Sequence, residues 1–454
     1  MPMQSRRSFL EKIALTTAAM SLSPLTTHAL TAPGVAPPLR VGLIGVGLRG
    51  TNHLENLLQR EDVEITALCD TDPERLRLCT GLLDKAGKKK AATFGAHAHS
   101  YRDLLGLENV DAVVISTPWS WHTPMAVDAM KAGKYTGLEV SAATTLEECW
   151  DLVNTHEATG THLMLLENVN YRRDILAVLR MVREGVFGEL IHFRCGYQHD
   201  LREVKFNNGQ QPYGGGVEFG EKATSEAKWR TAYSLHRNAD VYPTHGLGPV
   251  AVMADINRGN RLLSLTSAAT KSVGLHNHIV QQGGGDHPNA SLEFKQGDVI
   301  TSTLQTARGE TIIITHDCNL PRPYSLGFRV QGANGLWEVD GNRMYIEGKS
   351  EPHRWDEAGP WLEKYDHPLW QKYGEYATGS GHGGMDFFVL HAFVEAAKRK
   401  IAPPIDVYDA AAWSAVTPLS ERSIAENGSA QFFPDFTRGR WMNRTPHEWI
   451  TDTW

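Results

Sequence analysis

Along the first third of the chain, apolar residues fall in short unbroken runs, with helix-spaced patterns between them. The run Leu39-Arg40-Val41-Gly42-Leu43-Ile44, with others over 63–69, 110–116, 135–140 and 162–169, predicts strands buried on both faces. Helical patterns over 51–60 and 125–131 separate them. Asp72-Pro73-Glu74 marks a further helix start, with Asp72 as cap and Pro73 in the first position. Lys88-Lys89-Lys90 reads as a solvated loop. Such strand–helix alternation predicts a doubly wound parallel sheet. Ligands of these sheets bind beyond the carboxyl ends of the strands. Those ends carry Thr117-Pro118-Trp119, Glu139-Val140 and Asn168.

After Asn170 the pattern changes. A helix is expected over 172–184, a half-buried strand over 190–197, and then a Gly-rich stretch that includes Gly214-Gly215-Gly216. Strand-like runs follow at 263–270, 290–294, 299–305, 311–316, 328–332 and 336–340. Helical patterns occupy 248–258, 385–400 and 410–425. The fold class is therefore α/β: an N-terminal doubly wound parallel sheet over 39–168, then a C-terminal α+β domain over 169–454 on an open, largely antiparallel sheet. No internal repeat is visible.

The first strand leads directly into Gly45-Val46-Gly47-Leu48-Arg49-Gly50, a helix follows, and the next strand ends in Asp70, 20 residues beyond Gly50. In that context G-x-G-x-x-G is a dinucleotide-binding (Rossmann) fingerprint. Gly45 permits the tight turn, Gly47 lets the backbone approach a pyrophosphate, and Gly50 lets helix and strand pack closely. Asp70 is placed to accept hydrogen bonds from the adenine ribose hydroxyls. Its charge repels a 2′-phosphate, so NAD is favoured over NADP.

Charge and cysteine content narrow the classes. The 454 residues carry a net charge of -7, and the first 29 hold Arg6, Arg7 and Lys12 against Glu11, which leaves -9 for the rest. An acidic chain of this kind lacks the basic face of a nucleic-acid binder. Ser5-Arg6-Arg7-Ser8-Phe9-Leu10, an apolar stretch over 13–22 and Thr27-His28-Ala29 resemble a twin-arginine signal over 1–29, with a Pro/Gly-rich linker over 30–38. The expectation is export by the twin-arginine machinery to the periplasm or beyond, without a stable membrane anchor. The apolar stretch is shorter than the ~20 residues that span a bilayer. Cys69, Cys79, Cys149, Cys195 and Cys318 make an odd set with no C-x-x-C, and so neither a disulfide framework nor a thiolate zinc site. The pairs His97/His99 and His276/His278, and His382, lack supporting ligands, and no metal site is expected. No G-x-S-x-G elbow occurs, which disfavours acyl transfer through a serine.

This layout resembles the Gfo/Idh/MocA oxidoreductase superfamily. There the strand ending near residue 139 usually closes with Glu-Lys-Pro, and the lysine assists hydride transfer. Here the chain reads Glu139-Val140-Ser141, without the lysine. The closer resemblance is to the NAD-dependent α-N-acetylgalactosaminidases of glycoside hydrolase family 109. It rests on the Gly45–Gly50 turn with Asp70, Thr117-Pro118-Trp119-Ser120-Trp121-His122-Thr123-Pro124, Leu138-Glu139-Val140, Glu167-Asn168-Val169, Tyr242-Pro243-Thr244-His245-Gly246-Leu247-Gly248-Pro249 and Arg322-Pro323-Tyr324-Ser325. By that resemblance Leu48, Arg49, Asp70, Trp119, Ser120, Trp121, His122, Glu139, Val140 and Asn168 contact NAD. Tyr197, Arg230, Tyr242, Pro243, Thr244, His245 and Tyr324 line the sugar site. The partner implied is a small-molecule glycan, and the superfamily's open sheets, which often pair between subunits, allow a homo-oligomer.

The chemistry implied departs from the usual pair of carboxylates. A sugar C2–H is too weak an acid to be removed directly. Transient oxidation at C3 acidifies it, C1–C2 elimination expels the aglycone, water adds, and C3 is reduced again. Tyr242 and His245 are the candidate catalytic pair. A helix beginning at 248 would set His245 at its positive end, which favours a neutral imidazole able to act as base. Which of the two is base and which proton donor stays open at this point. Two other functions are conceivable: an exported sugar oxidoreductase with tightly bound nucleotide, disfavoured by Val140, and a sugar-binding protein without turnover, disfavoured by the Tyr242/His245 pairing.

Overall fold

The computed structural model describes residues 37–446. The expected signal segment and most of the linker lie outside the described residues. The first sheet has six strands: β1 (Leu39–Ile44), β2 (Val63–Cys69), β3 (Ala92–Phe94), β4 (Ala112–Ile115), β5 (Tyr135–Leu138) and β6 (Leu163–Leu165). Their order is β3-β2-β1-β4-β5-β6, and every pair is parallel. The order reverses between β1 and β4, which opens a crevice at their carboxyl ends. The apolar runs exist because both faces are covered: Val41, Leu43, Val113, Val114 and Leu138 are all buried. Helix Pro73–Lys85 begins as expected, with the Asp72 side chain accepting from Glu74 N at 2.9 Å.

The second sheet has nine strands. They are β7 (Leu190–Gln198), β8 (Leu262–Ala269), β9 (Val299–Thr306), β10 (Thr311–Asp317), β11 (Arg329–Gly332), β12 (Gly335–Glu338), β13 (Arg343–Ile346), β14 (Asp356–Glu357) and β15 (Gln431–Phe432). The order is β14-β13-β12-β11-β7-β10-β9-β8-β15. Only β7 and β10 pair in parallel; the other pairs are antiparallel. Ile300, Leu304, Ile312 and Ile314 point into the core, while Thr301, Thr303 and Gln305 alternate outward. Helices Thr244–Met253 and Val416–Ala425 pack on this sheet, against β7 and β8.

Late elements return to the first sheet. Helix Met385–Arg399 packs on helix Leu48–Leu58, and a Cβ on Gly137 of β5 would lie 2.9 Å from the Phe393 ring. Helix Val407–Ser414 packs on β6 and on helix Leu146–Thr159. The pattern expected over 410–425 is therefore two helices.

Two other expectations are corrected. The apolar run at 290–294 is not a strand: Pro288–Ser291 is a short 3-10 turn capped by His287, and Phe294 fills a small side cluster with Phe206, Val217, Leu275 and Ile279. The helix expected over 248–258 spans Thr244–Met253 instead. It ends early because Asp255 and Asn257 adopt left-handed backbone (φ 54° and 65°). His245 thus sits in the first turn rather than ahead of it.

All five cysteines are free and buried. No helix among the described residues is long and apolar enough to cross a membrane.

Candidate active site

A cleft of about 840 Å³ runs from the glycine turn to the end of β7. At one end Gly45 takes φ +81°, where a Cβ would meet Ser116 O at 2.8 Å. A Cβ on Gly50 would lie 1.9 Å from Gly45 O, so helix Leu48–Leu58 starts hard against the turn. Gly47 differs: a Cβ there meets nothing within 4 Å, and the residue faces open cleft. Asp70, at the end of β2, accepts from Val46 N at 2.7 Å and Asp72 N at 2.9 Å. Burial pushes its carboxyl above the ordinary aspartate value.

The cleft wall also holds buried polar atoms without a protein partner, Ser116 Oγ and Asn168 Oδ1. A turn with room for a pyrophosphate, a carboxylate at the ribose position and unspent hydrogen-bonding atoms further along fit an NAD molecule.

Beyond the turn lies a charged cluster. Glu139 accepts from Arg49 Nε at 2.6 Å and pairs with His53 Nε2 at 2.7 Å. Arg49 Nη1 donates to Asp386 at 2.8 Å, and Asn168 Nδ2 reaches the other Asp386 oxygen at 2.8 Å. Burial alone would raise the Glu139 carboxyl; Arg49 and His53 overcome it and hold it well below the usual range. Asp386 is held low in the same way by His382 and Arg49. His53 is pushed below its ordinary value, by burial first and then by Arg49.

Trp119 packs edge-on against Trp229 and Tyr233, each at 4.9 Å, and Trp121 lies 5.5 Å from His99. His122 ties β4 to β5 through Thr117 O and Ser141 O, both at 2.7 Å. Val140 and Leu48 line the cleft. Ser120 is exposed and lies off the cleft wall.

The other end of the cleft is built by close backbone approach. A Cβ on Gly246 would sit 2.6 Å from Gly196 N of β7; one on Gly248 would meet Asn170, Trp413 and Glu167 at 2.9–3.1 Å. Only glycine allows helix Thr244–Met253 to press this closely on both. The result is that His245 Nδ1 lies 2.7 and 2.9 Å from the two oxygens of Glu167, whose side chain is fully buried. A carboxylate there holds the proton on Nδ1 and leaves Nε2 for the cleft.

Tyr242 stands 4.8 Å from the His245 ring and 4.7 Å from Tyr197. Burial raises the Tyr242 and Tyr197 phenols well above 10, so both keep their protons. Tyr197 Oη bonds His199 Nδ1 at 3.1 Å. Arg230 lies over the rings of Tyr242 (4.9 Å) and Trp119 (5.1 Å) and is paired with Glu226.

Of the residues expected in the sugar site, Tyr197, Arg230, Tyr242 and His245 line the cleft. Pro243 and Thr244 are buried off its wall and start the helix. Tyr324 is 48% exposed on the rim, edge-on to His199 at 4.9 Å and bonded to Arg172.

Three residues at or behind the cleft were given no site role by the sequence. Glu167 closes the strand pattern at 162–169, and the strand-end rule that singled out Asn168 applies to it equally. Asp386 and His382 sit in a Gly-His-Gly-Gly-Met-Asp run, whose glycines before a helix were the available signal.

Residues 39–166 match the oxidoreductase family with NAD-binding Rossmann fold, and residues 171–443 match the glycosyl hydrolase 109 C-terminal domain. The chain is 50% identical to an alpha-N-acetylgalactosaminidase of Tannerella forsythia over 97% of this chain and 98% of that protein. It is 50% identical to a glycosyl hydrolase family 109 protein of Stenotrophomonas maltophilia, over 97% of each. Levoglucosan dehydrogenase, in complex with NADH and L-sorbose, shares the fold at 16% identity with a TM-score of 0.64, over 88% of this chain and 99% of the other. The chain belongs to glycoside hydrolase family 109 and, with its NAD-binding Rossmann half, is an NAD-dependent glycoside hydrolase.

Proposed function

We propose that this enzyme removes terminal α-linked N-acetylgalactosamine from glycans by transient oxidation at C3, C1–C2 elimination, water addition and re-reduction. Bound NAD supplies a hydride acceptor at C3 that is restored within each turnover. Proton handling falls to the chain. Glu167 orients His245 so that Nε2 takes the proton from C2, the Tyr242 phenol, kept protonated by burial, donates to the departing C1 oxygen, and the C3 hydroxyl proton freed on oxidation passes to water in the cleft and returns on re-reduction. Arg230 and Tyr197 orient the sugar. The single observation that carries this reading is the buried Glu167–His245 pair opening, beside Tyr242, into the same cleft as the glycine turn. Val140, where the superfamily has a lysine, adds no charge beside that pair.

The test is turnover of a chromogenic α-N-acetylgalactosaminide by purified enzyme without added cofactor, in deuterated water. Chromophore release with deuterium at C2 and no net NADH is expected. Net NADH from the free sugar, without glycoside cleavage, overturns the proposal.

The basic N-terminal segment supports a second proposal, export by the twin-arginine route after the cofactor is bound. Replacing Arg6 and Arg7 by lysine should then retain the protein in the cytoplasm.

A further inference from the structure

The glycine turn and Asp70 form only one wall of the cofactor cleft. Next to Arg49, the wall comes from the far end of the chain. Residues 380–384 lead into helix Met385–Arg399, and His382 lines the cleft beside Gly47 and Arg49. Its ring is fixed from behind: Nδ1 lies 2.7 Å from Asp386 Oδ2, and the Asp386 side chain is itself fully buried against Arg49 and Asn168. The turn is pinned to the helix that follows the glycine motif, because Asn56 Nδ2 donates to Ser380 O at 2.8 Å. The approach is tight. A Cβ on Gly381 would lie 2.5 Å from Asp386 Oδ2, and its φ of +101° favours glycine independently.

Two features of this arrangement point to a ligand. The His382 side chain is 58% exposed although one nitrogen is held by a buried carboxylate, so Nε2 remains for something in the cleft. Arg49, the cation nearest the glycine turn, is turned away into Glu139 and Asp386 and is spent there. The turn therefore offers backbone N–H groups to a pyrophosphate, while its own arginine is committed elsewhere.

We propose that His382 is a cofactor-binding residue, its Nε2 hydrogen-bonding the phosphate–ribose backbone of bound NAD so that the 380–384 turn clasps the nucleotide across the mouth of the cleft. A hydrolase that restores its cofactor at every turnover has no need to release it, and a clasp slows only exchange. The proposal rests on NAD binding, not on the sugar or the elimination route, and its test is independent of both.

The test is nucleotide exchange. The NAD-loaded enzyme is mixed with excess isotopically labelled NAD and the bound pool is followed by rapid filtration. His382→Ala should exchange about ten-fold faster, the worth of one charge-assisted hydrogen bond. The nucleotide-free protein should melt somewhat lower, because Asp386 loses a partner, and the exchange rate is the readout that isolates the cofactor contact. An exchange rate equal to that of the parent overturns the proposal. A second measurement needs no variant: bound NAD should protect His382 from diethylpyrocarbonate, read by peptide mass, while exposed His353 reacts equally with and without it. Equal labelling of His382 in both states also overturns the proposal.

Discussion

His245 and Glu167 form a pair in which the buried carboxylate straddles Nδ1, at 2.7 Å from Oε1 and 2.9 Å from Oε2. The partners are 78 residues apart. Glu167 Oε1 is held in turn by Val169 N at 3.1 Å, so the carboxylate cannot swing away freely. This fixes the His245 tautomer and aims Nε2 outward.

Glu167→Gln should therefore lose activity without losing substrate. A neutral amide no longer stabilises the imidazolium formed when Nε2 takes a proton. We expect kcat to fall by about 10²–10⁴, the range a positioned acid–base group contributes, with little change in KM. Tm should stay at the parent's value. A purely structural role for Glu167 would lower Tm and leave kcat of the folded enzyme in place.

Tyr242→Phe separates donor from scaffold. The ring contacts with Tyr197, His245 and Trp119 survive, and only the hydroxyl is lost. An alkyl glycoside, whose leaving oxygen needs a proton, should lose about 10²–10⁴ in kcat. A nitrophenyl glycoside, whose leaving group departs as an anion, should lose much less. Equal losses on both substrates would assign Tyr242 to binding alone.

Local features of the site were legible in the sequence, and contacts across the chain were not. The Gly45–Gly50 turn and Asp70 follow from spacing within 26 residues, and β1, β2 and β4 from apolar runs that only two-sided burial produces. Arg49 and Asp386 stand 337 residues apart, and nothing in the helix pattern over 385–400 tells that its first turn reaches the cofactor cleft. The helix carrying His245 begins at Thr244, four residues before the expected start at 248. Pro249 lies inside the helix, and Gly246 and Gly248 are explained by what they touch, β7 and Glu167, rather than by backbone freedom. The run at 290–294 failed for a related reason: its apolar residues serve a side cluster, and periodicity does not distinguish that from a ladder.

The charged cluster behind the cleft sets a direction for acid sensitivity. Glu139 and Asp386 are held below their ordinary values, so their contribution to stability is complete above the unfolded-state values of roughly 4 and is lost as pH falls through and below them. His53 is also depressed, so the unfolded chain takes up its proton first and stability begins to fall below about pH 6.5. Thermal unfolding should thus show a continuous decline from pH 6.5 to 3. Glu139→Gln should flatten the lower part of that decline. At pH 7 it should cost about 3–5 kcal/mol, because Arg49 then keeps only Asp386 within a mostly buried cluster. A pH dependence identical to that of the parent would show that the cluster does not carry it.

Gly47 and Gly50 of the cofactor turn should respond differently to the same substitution. Gly50→Ala puts a Cβ 1.9 Å from Gly45 O, a backbone atom that cannot move without opening the turn. The gain of about 1 kcal/mol from replacing a helical glycine does not offset such a clash. The nucleotide-free protein should therefore melt at lower temperature. Gly47→Ala meets no protein atom within 4 Å, and its φ of -63° suits alanine. Its nucleotide-free melting temperature should match the parent's. The methyl group instead enters the space left for the pyrophosphate, so NAD affinity, read by calorimetry on the nucleotide-free protein, should fall by at least about ten-fold, or 1.4 kcal/mol. Undiminished affinity in Gly47→Ala would mean that the dinucleotide does not lie against the turn, whatever the fold suggests.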